Sequence, residues 1–258
     1  MKIRLICGLA LGAVLALAAV AQAGATKPTV VRAGNLVLSA NGGVAPKKLS
    51  ARKLSPITLS ASGAIATVDG SHPPAAKTIT IDFDRHGTIN ARGLSVCHAR
   101  ELQSRDTRAA ERACRPAIVG HGKTTVQVQF PESHPFESTG PLVLFNGGVH
   151  HGVTTMYIHA YVSVPTPTAL VTTVRIRHEH RGRYGTRAVA RIPRIAGGSG
   201  SVTRFAFHVH RLFRRHGRKQ SYLLASCVGG HFLAHADVVF TGGPSMAATL
   251  VRPCRAGG

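Results

Sequence analysis

The sequence predicts an all-β protein, mostly antiparallel, built as one large sandwich or as two similar sandwich-like halves, with one short helix. Three observations carry this expectation. Short runs alternate apolar and polar side chains, the period of a half-buried strand. Clusters of Gly, Pro, Asn and Ser separate these runs at short intervals, as turns do. The stretch Phe83 to Cys97, F-D-R-H-G-T-I-N-A-R-G-L-S-V-C, returns as Phe213 to Cys227, F-R-R-H-G-R-K-Q-S-Y-L-L-A-S-C, with six of fifteen positions identical. Each copy reads as a strand, a turn at His-Gly and a second strand ending in a cysteine, which points to an internal repeat.

Taken in order, the chain opens with Met1-Lys2-Ile3-Arg4, an apolar run from Leu5 to Val20, and Ala21-Gln22-Ala23. A basic start, a short apolar core and a small-x-small end are the parts of a secretory signal peptide, residues 1–23. The run falls short of the roughly 18 to 20 residues a spanning helix needs, and no later stretch reaches it, so the expected mature chain has no transmembrane segment. Its location would be outside the cytoplasm, free or associated with the cell envelope.

From Gly24, Val30-Val31 and Leu36-Val37-Leu38 lead to Asn41-Gly42-Gly43, read as a hairpin turn. Pro56 to Ile65 alternates cleanly, Asp69 to Pro74 is a loop, and Lys77 to Phe83 is a strand with Ile79, Ile81 and Phe83 on one face. Near 105–115 lies the one helical stretch, with Asp106 or Ser104 to cap it and Pro116 to stop it. Thr124 to Phe130 is another strand. Leu142 to Phe145, Asn146-Gly147-Gly148 and Thr154 to Val164 read as a hairpin. Pro165-Thr166-Pro167 marks the boundary between an N-terminal half, 24–164, and a C-terminal half, 165–258, unless the prolines punctuate a single domain over 24–258. Beyond it, Ala169 to Ile176, Arg187 to Ile192, Val202 to His210, Ser221 to Cys227, Ala234 to Phe240 and Ala247 to Val251 all read as strands.

Four cysteines follow the leader, Cys97, Cys114, Cys227 and Cys254. In an exported chain an even number most simply means disulfides, and four cysteines allow three connectivities. Cys97–Cys114 with Cys227–Cys254 is favoured, since each pair closes a local loop; the absence of any C-x-x-C pair argues against zinc.

Lysine and arginine outnumber aspartate and glutamate by 32 to 10, and eight of the ten acids lie between Asp69 and Glu137. A field of one sign favours polyanions. The densest cluster is Arg211, Arg214, Arg215, Arg218 and Lys219, at the turn of the second repeat copy. It is the candidate site for an anionic envelope polymer, although a charged tip also serves simply to keep a β edge soluble. Specific nucleic-acid reading is disfavoured, because the chain has no tryptophan and four tyrosines to stack bases.

Among fifteen histidines, His178 and His180, and His208 and His210, have strand spacing. Residues i and i+2 share a face, so these four are the alternative candidate site, for a metal. No G-x-S-x-G elbow or phosphate-binding glycine pattern is present, and Asp82 and Asp84 read as a solvated, salt-bridged face rather than a catalytic pair. The sequence therefore points to a non-enzymatic protein with no cofactor.

Arg32-Ala33-Gly34-Asn35-Leu36, Asn41-Gly42-Gly43, Ser71-His72-Pro73-Pro74, Asn146-Gly147-Gly148, Arg183-Tyr184-Gly185 and Gln220-Ser221-Tyr222-Leu223 resemble an uncharacterised group of exported, β-rich proteins of high-GC Gram-positive bacteria. The resemblance spans nearly the whole mature chain. It implies export and carries no activity, ligand or site residue.

Overall fold

Inward apolar and outward polar side chains alternate along nearly every long strand, and this decides how the sheet closes. The computed structural model describes residues 27–163 and 166–257; the leader 1–23 and Pro165 lie outside the described residues. In chain order the elements are β1 (Thr29–Ala33), β2 (Leu36–Ala45), β3 (Lys48–Ser50), β4 (Ser55–Pro56), β5 (Thr58–Thr67), β6 (Ala76–Asp84), β7 (Gly87–Ile89), α1 (Thr107–Cys114) and β8 (Ile118–Val128). Then come β9 (Phe136–His150), β10 (Val153–Val162), β11 (Thr168–Arg181), β12 (Tyr184–Arg191), β13 (Gly200–Val209), β14 (Leu212–Arg215), β15 (Arg218–Ser221), β16 (Leu223–Ala225), β17 (His231–Phe240), β18 (Ser245–Pro253) and β19 (Arg255–Gly257).

Among the described residues the protein is all-β with one short α-helix. Twelve strands form one antiparallel sheet in the order β1-β2-β5-β13-β8-β9-β10-β11-β12-β6-β17-β18. The sheet curls until β18 meets β1 and β2, giving a nearly closed barrel where a two-layer sandwich was expected. The reason is the accumulated twist of many strands with one apolar face, which closure buries all round. Strands from either side of residue 165 interleave: β13 pairs with β5 and β8, and β6 sits between β12 and β17. The proline-rich segment thus does not separate two sheets. Where β8 crosses β13 the backbones touch, and a Cβ on Gly122 would lie 2.2 Å from the Ala206 carbonyl oxygen.

Antiparallel order places the ends of β2, β6, β9, β11, β13 and β18 and the starts of β5, β8, β10, β12 and β17 at the same rim. All the long, ornamented connections leave from that rim. One of them supplies a plug: β16 pairs with β4 and β7, and Ile57, Ile89, Leu223 and Ala225 of this small sheet close over the lumen. The C-terminal β19 runs parallel to β3, and the disulfide Cys227–Cys254 ties the end of β18 to the plug. The other disulfide, Cys97–Cys114, anchors α1, whose N-cap Asp106 accepts a 2.7 Å hydrogen bond from the Ala109 amide. This segment lies on the outside of the wall, where Leu102, Ala110 and the cystine pack on Val143, Phe145 and Tyr157, so that β9 is buried on both faces. Both pairings are the local ones. By the chain-entropy relation each stabilises by about 3 kcal/mol.

Three local expectations are corrected. Asn41-Gly42-Gly43 lies inside β2 and Asn146-Gly147-Gly148 inside β9, the hairpin turn being at His151-Gly152. Tertiary contacts supply what a turn would have: the Asn146 amide donates to the Ser95 carbonyl at 2.9 Å, and a Cβ on Gly147 would lie 2.8 Å from the Tyr157 ring. The repeated stretches also diverge. The second copy makes the hairpin β14–β15, turning at His216-Gly217. In the first copy the chain turns at Arg85-His86 and enters the plug as β7, which pairs with β16 rather than with β6.

Candidate functional site

The ornamented rim is strongly basic. Its connections contain eighteen lysines and arginines: four in 46–57, seven in 85–117, one in 182–183, five in 210–230 and one in 254–257. They contain three acids, Glu101, Asp106 and Glu111. The described connections at the opposite rim contain one cation, Arg194, and two acids, Asp69 and Glu132. The charge is therefore distributed along the barrel axis, which a count over the chain does not reveal.

The β14–β15 hairpin is the most charged part of that rim. His216 and Gly217 have φ of 49° and 75°, the paired positive values of a tight hairpin turn, which glycine adopts without penalty. Arg215 pairs with Arg218 and Arg214 with Lys219, so like charges sit directly opposite each other. Arg214 donates to the Gly217 carbonyl at 3.2 Å, and none of these four exposed side chains has a carboxylate partner among the described residues. Arg211 stands apart, half-buried, donating to the Pro116 carbonyl at 3.2 Å. It braces the base of the hairpin against the helical segment instead of joining the tip.

The four candidate metal ligands are not brought together. His178 and His180 are exposed on β11, His208 is exposed on β13 and His210 directly after it, and three strands lie between. His208 sits beside His121, with ring centroids 6.2 Å apart, and His210 Nδ1 bonds Thr58 Oγ1 at 3.0 Å. The one set of metal-type ligand atoms found together among the described residues is Cys97, Glu101 and Cys114, and its two sulfurs are joined in the disulfide, leaving no thiolate.

Asp82 and Asp84 are buried, not solvated. Asp82 takes a bidentate pair from Arg187, Nε at 2.7 Å and Nη2 at 2.8 Å. That guanidinium holds the Asp82 carboxyl below the usual range, and Asp82 in turn raises Arg187. Asp84 accepts from the His86 amide at 3.0 Å and the Leu233 amide at 3.2 Å, and His86 Nδ1 lies at 2.8 Å. Both oxygens of each acid are thus engaged in hydrogen bonds.

The concave feature that the strands themselves enclose is the lumen. Eight strands fill a barrel with side chains; twelve leave room. Here the inward residues enclose a cavity of about 350 Å³, floored by the plug and walled by Leu59, Ile81, Phe83, Met156, Ile158 and Phe207 among others. Sequence reasoning missed it because neighbouring strands in the sheet are distant in the chain. One cation lines it: Arg252 occupies the inward slot of β18 after Met246, Ala248 and Leu250, opposite Phe232. An arginine in phase with an apolar stripe was a signal available in the sequence. Its guanidinium reaches across the seam to the Gly42 carbonyl at 2.6 Å and Asn41 Oδ1 at 2.8 Å, just past Ala40, the partner of Thr29 at the start of β1. Two buried hydroxyls on the lining, Tyr222 and Thr186, have no hydrogen-bond partner among the described residues. Burial pushes the Tyr222 phenol well above its ordinary range.

The polarity of the wall, apolar inside and polar outside, is the reverse of a membrane-spanning barrel. No helix among the described residues is long and apolar enough to cross a membrane. Compared with protein-family models, with curated proteins and with solved structures, the chain matches none.

Proposed function

We propose that this is an exported, non-enzymatic protein of the cell envelope that docks onto an anionic polymer through the plugged rim of its barrel. The observation that carries the reading is the axial asymmetry of charge, eighteen cations on the connections of one rim against one on the described connections of the other. Such a field orients a molecule towards a polyanion before contact and concentrates it there. The leader-like residues 1–23 and the two disulfides, which persist in oxidising compartments, support export. The hairpin tip, with Arg214, Arg215, Arg218 and Lys219 exposed and free of carboxylates, is the leading edge.

The test is binding of the mature protein to isolated anionic envelope polymer across a salt series, with two variants. One neutralises Arg214, Arg215, Arg218 and Lys219 to glutamine; the other neutralises Lys123, Arg175, Arg191 and Arg204, exposed on the wall. Counterion release makes any basic protein bind less tightly in salt, with a slope near 0.7 to 0.9 per ion contact, so salt dependence alone decides nothing. The expected result is a slope reduced by about 3 in the hairpin variant and nearly unchanged in the wall variant. Equal losses in both, or no binding by the parent protein, would sink the proposal.

A further inference from the structure

We infer that the lumen is a binding site for a single-chain aliphatic carboxylate, its tail among the inward apolar residues and its head on Arg252. The cavity is within the size range of small-molecule sites. At about 30 Å³ for a unit the size of a water or methylene, 350 Å³ holds roughly a dozen heavy atoms of chain. The walls offer almost nothing but hydrocarbon: Leu59, Ile81, Ile158 and Phe207 contribute no hydrogen-bonding side-chain group, so they select for an apolar tail and against a sugar or peptide.

Arg252 decides the head. A guanidinium has five N–H donors, and three are engaged, by the carbonyls of Gly42 and Val251 and by Asn41 Oδ1. All three acceptors are neutral. No carboxylate lies within 4 Å of Arg252 among the described residues, and the one acid on the lining, Asp84, is taken up by His86 and the Leu233 amide. Two N–H groups remain, one on Nη1 and one on Nη2, as charge-assisted donors for a carboxylate. The Asn41 side chain and the Gly42 carbonyl hold the guanidinium in place, which gives a physical reason for that asparagine inside β2. The hydroxyls of Tyr222 and Thr186 add polar atoms to a lining that has few.

Arg252 lies near the plugged rim but is none of the cations on its connections, so the two readings are tested separately. Calorimetric titration of the full mature protein with dodecanoate, dodecanol and dodecyltrimethylammonium compares one tail on three heads. Ala236→Phe, on the inward face of β17, fills the lumen without changing the surface charge. Arg252→Gln removes the anchor. The expected results are one dodecanoate per molecule, binding at least tenfold tighter than either of the other heads, and no binding in Ala236→Phe. Arg252→Gln should weaken dodecanoate at least tenfold, as loss of a charge-assisted hydrogen bond does, and leave dodecanol within about twofold. Unaltered dodecanoate binding in Ala236→Phe would mean adhesion to the basic exterior and overturn the proposal. Equal loss of dodecanoate and dodecanol in Arg252→Gln would reduce Arg252 to a seam clamp and overturn it too. Should Arg252→Gln not fold, the comparison of heads on the parent protein and the Ala236→Phe result still decide. The variant neutralised at the hairpin tip should bind dodecanoate like the parent.

Discussion

Replacing Asp82 by asparagine tests how β6 and β12 are held together. Asp82 and Arg187 are direct cross-strand partners, joined by two charge-assisted hydrogen bonds of 2.7 and 2.8 Å, with Asp82 only 7% exposed. Removing one charge from a fully buried pair costs about 3 to 5 kcal/mol, because the other is left uncompensated. Arg187 is less isolated: its side chain is 26% exposed, and Glu179 lies 3.4 Å from Nε. Solvent and the second carboxylate both screen the loss, so the expected cost is about 2 kcal/mol. In a protein of this size that lowers Tm by roughly 4 to 8 °C.

The pH dependence gives the sharper check. The hydrogen bonds from Arg187, with smaller contributions from the charges of Arg181 and His235, depress the folded-state pKa of Asp82. The stabilisation is therefore complete above the unfolded value, about 3.9, and is lost as pH falls through the lower folded value. The Asp82→Asn variant carries no titrating group at this position and so lacks that dependence. Urea unfolding followed by far-UV circular dichroism, at pH 6 and at steps down to pH 2.5, should show the gap between parent and variant close on acidification. A gap that stays constant over that range, or a variant as stable as the parent at pH 6, would refute the assignment of the pair as a buried, coupled contact.

Three further outcomes are expected. His159 is fully buried under the helical segment, with Nε2 bonded to the Arg105 carbonyl at 3.0 Å, and burial lowers its pKa. Its neutral form is the folded one, so stability should fall by up to about 1.4 kcal/mol per pH unit below about 6.5, a dependence that His159→Gln should remove in paired denaturation curves at pH 7.5 and 5.5. Tyr222→Phe deletes a hydroxyl that has no partner among the described residues, and should leave thermal stability unchanged or raise it by about 1 kcal/mol. The double variant Cys227→Ala/Cys254→Ala releases the end of β18 from the plug; a loss of about 3 kcal/mol and faster amide exchange in β18 and β19 are expected, and exchange confined to other strands would contradict the role given to that bond.

The sequence by itself determined what depends on near neighbours. Alternation marked the strands, because side-chain direction in an extended chain has period two whatever the strand pairs with. Asp106 before Thr107 and Pro116 after Cys114 marked the helix, since caps and breakers act within one turn. Both disulfides were legible because each closes a short loop, and the turn at His216-Gly217 because two positive φ values are a local requirement.

What only the tertiary structure decided concerns residues far apart in the chain. Sandwich and barrel share one alternation, and the difference is whether β18 returns to β1 and β2, a matter of twist summed over twelve strands. Asn41-Gly42-Gly43 has the composition of a turn and is held in a strand by pairing with β5, with Arg252, more than two hundred residues away, bonded to Asn41 and Gly42. Asp82 appeared solvated until Arg187 arrived opposite it. The lumen is a property of closure: no segment contains it, and that Arg252 lines a cavity is decided by the strands that surround it.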